Sequence, residues 1–123
     1  MSTDENKAIV HRYFDERWNQ KNHAVIDDLL GGSMDLEDAR ETFKTVHAAI
    51  KDLEITINDL IADGDQVVVR WTITGIHQGE LKGVAPSGQP ISWQGLTRIR
   101  LADGKIVSDE HFSDLLEVMT GTS

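Results

Sequence analysis

The chain contains no cysteine among its 123 residues, so it can form no disulfide, thiol nucleophile or thiolate metal site. Aromatic residues are scarce at 6%, and proline occurs only twice. Acidic residues outnumber basic ones by 21 to 12, which gives a net charge of −9. This charge disfavours nucleic acid and anionic membrane surfaces as partners, because both are negative. A small neutral or apolar ligand is compatible with it.

Long hydrophobic runs are also lacking. The N-terminal stretch MSTDENKAIV has no apolar run, so we expect neither a signal peptide nor a membrane span and predict a cytoplasmic protein. No repeat or linker divides the chain, and its length suffices for one hydrophobic core but not for two. We therefore predict a single domain over residues 1–123.

The first half of the chain has the spacing of amphipathic helices. A helix is predicted from Ser2 to about Gln20, opened by a capping box between Ser2 and Glu5. A short helix is expected over about Asn22–Leu30, and a third begins at Asp35 as its N-cap. The second half alternates with period two, which is typical of strands. We predict an α+β fold: a cone-shaped barrel of strongly curved antiparallel sheet, with three N-terminal helices over its concave face.

The segment ISWQGLTRIRLADGKIVSDEHFSD, residues 91–114, predicts two antiparallel strands joined by a type I′ turn at Asp103-Gly104. If those two residues form the loop, the cross-strand pairs can be counted outward from it. One face then carries a mainly apolar set that includes two carboxylates: Trp93, Thr97, Glu110, Phe112 and Asp114. The other face carries Arg98 opposite Asp109, together with His111, and we interpret these three residues as structural or interfacial.

Asp114 is the main candidate for chemistry. In the counted register it lies opposite Trp93, and a carboxylate buried beside an indole suits a general acid or base. The alternative is that Asp114 only caps the turn that follows it. Glu110 lies four residues earlier, about 13 Å away at roughly 3.3 Å per residue, so the two carboxylates cannot share a proton. We interpret Glu110 as a polar pocket or rim residue.

No two histidines have the spacing of metal ligands, and the chain has no nucleotide-binding loop or serine-nucleophile motif. The sequence therefore predicts no metal site. Tryptophans are more often core residues than ligand platforms, and both interpretations stay open for Trp18, Trp71 and Trp93.

The order of motifs resembles that of the SnoaL-like polyketide cyclases, in the superfamily of ketosteroid isomerase and nuclear transport factor 2. The resemblance rests on ENKAIVHRYFDERWNQ, Gly64-Asp65, VVVRWTITGIHQGEL, PSGQPISWQG, ADGKI and an aspartate nine residues after Lys105. It implies an α+β cone barrel with an apolar pocket and no cofactor, assembled as a dimer or tetramer. We expect a homodimer through the outer face of the sheet. The resemblance also implies that Asp114 is the acid/base residue.

The chain departs from the family pattern at three places. Glu110 stands where the family usually has a tryptophan, and the C-terminus EVMTGTS replaces a glutamine-rich one. The segment Gly31–Asp35 is shorter than in relatives, where it walls the pocket. The pocket is therefore expected to be more open, or to be completed by a partner subunit.

Three functional hypotheses follow. The first is a cofactor-independent cyclase or isomerase in which Asp114 moves a proton on an apolar carbonyl compound, while Tyr13 and tryptophan N–H groups stabilise an enolate. The second is a non-catalytic ligand-binding or dimerisation module. The third, epoxide hydrolysis, would require Arg98 to lie in the pocket beside Asp114. The predicted ligand contacts are Tyr13, Phe14, Trp18, Trp71, Trp93, Thr97, Glu110 and Phe112.

Overall fold

The computed structural model describes residues 2–121 as four α-helices, one π-helical turn and four strands. In chain order the elements are α1 (Thr3–Phe14), the π-helical turn (Asp15–Asn19), α2 (Ala24–Leu29), α3 (Leu36–Ala49), β1 (Ile50–Asp63), β2 (Gln66–His77), β3 (Pro90–Ala102), β4 (Lys105–Ser113) and α4 (Leu115–Thr120). None of the helices in the described part of the chain is long and apolar enough to cross a membrane.

The capping box at Ser2 and the N-cap at Asp35, both predicted from the sequence, are confirmed. The hydroxyl of Ser2 accepts a hydrogen bond from the backbone N–H of Glu5, whose carboxylate accepts one from the N–H of Ser2. The carboxylate of Asp35 accepts a hydrogen bond from the N–H of Asp38 at the start of α3. Each cap satisfies an N–H group that the first turn of a helix leaves without an intrahelical partner.

The first helix does not continue to Gln20 as an α-helix. After Phe14 it widens into the π-helical turn, in which the N–H of Gln20 reaches the carbonyl of Asp15, five residues back. A π-helical turn accommodates one extra residue, so the side chains after it are rotated relative to a regular helix. Trp18 is buried here, and both Arg17 and Trp18 face the same side as Tyr13.

The four strands form one antiparallel sheet in the order β1-β2-β3-β4. The sheet is curled but does not close on itself, and the N-terminal helices pack over its concave face, so the predicted α+β class is confirmed. Every second side chain along β2 and β3 points inward, and these side chains form the sheet side of the core. They are Val67, Val69, Trp71, Ile73, Trp93, Thr97, Ile99 and Leu101.

The β3–β4 hairpin turns where predicted but pairs in a different register. Asp103 and Gly104 have φ values of 51° and 77°, as a type I′ turn requires. Leu101 pairs with Ile106 as counted, but Arg100 then pairs with Ser108, so one residue of β4 forms a β-bulge. The counted register is therefore wrong beyond Leu101, because a one-residue shift moves every later side chain of β4 to the other face.

The segment that follows α2 docks against β4 at the bulge. The N–H of Gly31 donates to the carbonyl of Ile106, and the hydroxyl of Ser33 donates to the carbonyl of Val107. Gly32 has φ +58° and lies so close to Val107 that an added Cβ would be 2.9 Å from the Cβ of Val107. The two glycines therefore let this segment dock against β4 at the irregular residue. A count of alternating residues contains no signal for such a contact.

Candidate functional site

A cavity of about 430 Å³ lies between the N-terminal helices and the concave face of the sheet. Its walls combine aromatic and apolar side chains with charged and polar ones. The lining residues are Tyr13, Phe14, Arg17, Trp18, Ser33, Met34, Asp35, Asp38, Ala39, Thr42, Thr97, Ile99, Ile106, Val107, Ser108, Asp109 and His111.

The helical wall of this cavity is built around Arg17. Its guanidinium donates one hydrogen bond to the Tyr13 hydroxyl at 2.8 Å and another to the carbonyl of Ala39 at 3.1 Å. The guanidinium carbon also lies 4.5 Å from the centre of the Trp18 ring, a cation–π contact. These three contacts hold the arginine in place, and none of them neutralises its charge.

The Tyr13 hydroxyl is a hydrogen-bond donor to the cavity. Burial raises the pKa of Tyr13 above its ordinary value, so the phenol stays protonated at neutral pH. The positive charge of Arg17 works in the opposite direction, and the negative charge of Asp109 adds to the upward shift of that pKa. Because the phenol oxygen already accepts from Arg17, its own hydrogen is available to a ligand oxygen.

The Trp18 ring packs against a histidine of α3 on the side away from the cavity. The ring of His47 lies 5.4 Å from the ring of Trp18 and 4.5 Å from that of Phe43. The Nε2 atom of His47 is 2.9 Å from the carbonyl of Arg17, so the neutral imidazole donates to it through this nitrogen. Burial lowers the pKa of His47 below its ordinary value. The imidazole is therefore a structural support for the π-helical turn that carries Arg17 and Trp18.

The sheet contributes Thr97, Asp109 and His111. Thr97 pairs with His111 and Ile99 pairs with Asp109 across the β3–β4 ladder, so these side chains share the inner face. The carboxylate of Asp109 and the imidazole of His111 make no hydrogen bond or ion pair within residues 2–121. Because the two residues are two positions apart on one strand, their Cα atoms are about 6.6 Å apart at roughly 3.3 Å per residue.

Thr97 is held in place by Trp71. The indole N–H of Trp71 donates to the Thr97 hydroxyl oxygen at 2.9 Å. This N–H group is therefore not free to stabilise a ligand. Gly95 makes this geometry possible, because an added Cβ there would lie 2.5 Å from a carbon of the Trp71 ring. Both tryptophans of the sheet, Trp71 and Trp93, are buried in the core and do not line the cavity.

Asp114 lies outside this cavity. It follows β4, and its carboxylate accepts a hydrogen bond from the backbone N–H of Gln94 at 2.8 Å. It occupies the N-cap position of α4 but makes no side-chain cap bond. Its surroundings are a separate hollow on the outer side of the sheet, beside Leu96 and Phe112. The predicted pairing of Asp114 with Trp93 is wrong, because the bulge shifts the register by one residue, so that Gly95 pairs with Ser113 and Asp114 bonds the backbone of Gln94.

The bulge also corrects the predicted positions of four other residues. Glu110 and Phe112 face outward, and Glu110 rather than Asp109 forms the ion pair with Arg98, at 2.6 Å. Phe112 is 74% exposed. Asp109 and His111, which were expected on the outside, face the cavity. Arg98 lies on the outer side of the sheet, as Asp114 does, but it is paired with Glu110 and is not among the residues that line the hollow around Asp114, so the arrangement that epoxide hydrolysis would require is not seen in the described chain.

Of the predicted ligand contacts, Tyr13, Phe14, Trp18 and Thr97 come together in the cavity. Arg17 was missed, although it lies four residues after Tyr13, on the face that the helical spacing already placed inward. Asp109 and His111 could not be found by counting, because their orientation depends on the bulge. Their exposure at the mouth of the cavity leaves them accessible to a ligand.

The rim of the cavity carries two further carboxylates, Asp35 and Asp38, at the start of α3. Asp35 is engaged in capping the helix. Within residues 2–121, no three histidine, aspartate or glutamate side chains converge closely enough to hold a metal ion. The cavity therefore presents acid/base groups and hydrogen-bond donors at its walls.

Comparison with known proteins supports the fold and identifies the family. AclR from Streptomyces galilaeus, named as a candidate hydroxylase, is 26% identical, with a TM-score of 0.82 and 98% of each chain covered. A candidate SnoaL-like polyketide cyclase from Jannaschia sp. CCS1 is also 26% identical, with a TM-score of 0.83 and coverage of 98% of this chain and 95% of that one.

TsrD from Streptomyces laurentii has the same fold at 21% identity, with a TM-score of 0.89 over 100% of this chain and 99% of its own. A comparison with curated proteins gives no match. The family model of SnoaL-like polyketide cyclases matches residues 5–121. The predicted resemblance is thereby confirmed, and the chain belongs to the SnoaL-like polyketide cyclase family.

Proposed function

We propose that this protein is a cofactor-independent enzyme that binds a small carbonyl compound in the helix–sheet cavity and moves a proton next to the carbonyl. The observation that carries the proposal is the position of Asp109. Its carboxylate faces the cavity without a protein partner in the described chain, on the same inner face as Thr97 and close enough to Tyr13 to influence its pKa. Membership of a cyclase family supports the same class of chemistry.

The proposed reaction begins with proton transfer to a carboxylate oxygen of Asp109 from the carbon next to the ligand carbonyl. The electron pair of the broken C–H bond moves onto the carbonyl oxygen, which becomes an enolate oxygen. The hydroxyl of Tyr13 donates a hydrogen bond to that oxygen, as the sequence had suggested for this residue. Phe14 and Trp18 pack against the apolar body of the ligand, and the carboxylic acid of Asp109 then returns the proton to the enolate, which restores the carboxylate.

This assignment moves the acid/base role from Asp114, the residue that the resemblance implies, to Asp109. The two can be separated by measuring deuterium incorporation next to the carbonyl of 2-tetralone, a small bicyclic ketone, by NMR in D₂O. We expect the protein to accelerate exchange and Asp109→Asn to lower the acceleration by about 10²-fold or more. Glu110→Gln, the adjacent outward carboxylate, is the matched control and should leave the exchange rate unchanged.

Two outcomes would contradict the proposal. Loss of exchange in Asp114→Asn, with normal exchange in Asp109→Asn, would return the role to Asp114 and to the outer hollow. A ligand that raises the melting temperature of the protein, while no exchange is accelerated, would favour the second hypothesis, a non-catalytic binding module on the same scaffold.

We also propose that the outer face of the sheet pairs with a second copy of the chain. Exposed apolar side chains meet there, with Phe112 at 74% and Leu96 at 45% exposure, beside the half-buried Val68. The adjacent Arg98–Glu110 pair offers both signs of charge, which lets the face match its own copy. Sedimentation equilibrium should show a dimer that Phe112→Asp dissociates. A monomer at high micromolar concentration would contradict this proposal.

A further inference from the structure

Arg17 has an unusual position for a positively charged residue in a protein with 21 acidic side chains. Other arginines, such as Arg12, Arg40 and Arg98, form ion pairs with an aspartate or a glutamate. Arg17 has no such partner among residues 2–121, although it is partly buried. A partly buried charge without a counter-charge is costly, so an incomplete pair at a cavity wall points to a ligand that completes it.

The hydrogen-bond count for this side chain leads to the same conclusion. A guanidinium has five N–H groups, and two of them are used by the Tyr13 hydroxyl and the Ala39 carbonyl. The N–H on Nε is enclosed by protein and has no partner among residues 2–121. Each terminal nitrogen therefore keeps one hydrogen that is not bonded within the described chain, and the side chain lines the cavity.

We propose that Arg17 forms a subsite for an anionic group, so that the ligand of this cavity is a carboxylic acid, with the carboxylate close to the reacting carbonyl. This inference rests on the proposed function only in placing the ligand in this cavity. The carboxylate would accept the remaining N–H groups of Arg17, while the Tyr13 hydroxyl stays available to the neighbouring carbonyl oxygen. A planar guanidinium stacked on Trp18 is fixed in orientation, which favours a planar two-oxygen partner.

The carboxylates at the cavity mouth do not remove this preference. Asp35 and Asp38 are exposed at the rim, where water and salt screen their charge. Nearer to the subsite, the effect of Arg17 on the pKa of Tyr13 exceeds the opposing effect of Asp109. The potential at the Tyr13 hydroxyl is therefore more strongly influenced by the arginine than by the aspartate.

The inference is tested by comparing 2-naphthoate with 2-naphthamide, two flat ligands of nearly equal size that differ in charge. Isothermal titration calorimetry at pH 7.5 and low ionic strength should show that the full chain binds the acid at least about tenfold more tightly than the amide. Equal affinities in the unmodified protein, or no binding of naphthoate at millimolar concentration, would overturn the inference without any variant being needed.

Variants then assign the preference to one side chain. Arg17→Gln should remove the preference for the acid, and Arg17→Lys should retain part of it, because the charge stays while the planar geometry is lost. Arg40→Gln, which removes the exposed arginine paired with Asp27, is the matched control and should retain the full preference. Thermal melting verifies that each variant is folded. A preference that survives in folded Arg17→Gln would contradict the assignment.

The two proposals fail independently. If naphthoate shows no preference but Asp109 supports ketone exchange, the anion subsite is wrong and the proton-transfer function stands. If naphthoate binds selectively through Arg17 but no ketone exchange is accelerated, the subsite stands and the proton-transfer function is wrong.

Discussion

The two faces of the β3–β4 hairpin treat their charged residues in different ways. On the outer face, Arg98 and Glu110 pair with each other in full contact with solvent. On the inner face, Asp109 and His111 have no partner within the described chain, and Arg17 across the cavity has no counter-charge there. The outer charges are paired with each other, whereas the inner ones are not paired within the described chain.

This difference separates structural charges from candidate functional ones. An exposed ion pair on a sheet contributes only about 0–1 kcal/mol to stability, and its loss affects little else. A partly buried charge without a counter-charge, such as that of Arg17, lowers stability, so its retention is better explained by a ligand. Asp109 and Glu110 are neighbours on one strand and both carry a carboxylate. Glu110 is a structural ion-pair residue on the outer face, whereas Asp109 lines the cavity and is a candidate functional residue.

The largest contrast between the faces is expected for aliphatic packing. Ile99 is 1% exposed on the inner face, and its replacement by alanine should lower the free energy of unfolding by about 2–5 kcal/mol. Ile61, which is 63% exposed on the outer side of β1, should change it by less than about 0.5 kcal/mol. Urea unfolding measures both, and Ile99→Val serves if the alanine variant does not fold. Similar losses for Ile99→Ala and Ile61→Ala would mean that the proposed dimer interface extends over Ile61 on β1.

A smaller contrast is expected between two threonines. Thr97→Val removes the acceptor of the buried Trp71 N–H and should cost about 1–3 kcal/mol, because that donor is left unsatisfied. Thr72→Val removes an exposed hydrogen bond to Asn58, where water replaces the lost partner, so we expect a cost below about 0.5 kcal/mol. Chemical denaturation of both variants tests this difference. A costless Thr97→Val would show that the Trp71 N–H finds another acceptor.

The smallest effect concerns pH. Because burial lowers the folded-state pKa of His47 below its ordinary value of 6.5, the unfolded chain takes up the proton first as the pH falls. The stability that neutral His47 contributes is therefore complete above about pH 7 and declines as the pH falls below 6.5. The effect should stay below about 1 kcal/mol, since the ring is only partly buried.

The measurement compares unfolding free energies at pH 8 and pH 5.5. His47→Gln should show a smaller decline than the unmodified protein, whereas His11→Gln, an exposed position on α1, should show the same decline. An unchanged decline in His47→Gln would mean that other groups cause the pH dependence.

Much of the fold could be predicted from short-range patterns. The capping residues Ser2 and Asp35 mark their helices because their side chains bond N–H groups within three residues. The Asp103-Gly104 turn is equally local, since positive φ values at both positions define the hairpin. The α+β class follows from the change of period along the chain.

The candidate site was predicted where it depends on helical spacing and, for Thr97, on the alternation of side chains along β3. Tyr13, Phe14 and Trp18 lie on one apolar stripe of the first helix, and the cavity brings them together. The predicted orientations of the β4 residues were wrong because they depend on one irregular residue, Val107, which contacts a segment more than seventy positions earlier in the chain. Such a contact leaves no periodic trace in the sequence of β4.

The amino-acid sequence by itself determined the helix starts, the hairpin turn, the α+β class and the family, because each depends on neighbouring residues or on an ordered series of motifs. Only the tertiary structure decided which carboxylate of β4 faces the cavity. Docking of Gly31 and Gly32 against β4 accompanies a bulge that turns Asp109 inward and Glu110 outward. Side chains alternate with period two, so a single extra residue in the strand was enough to exchange the two faces.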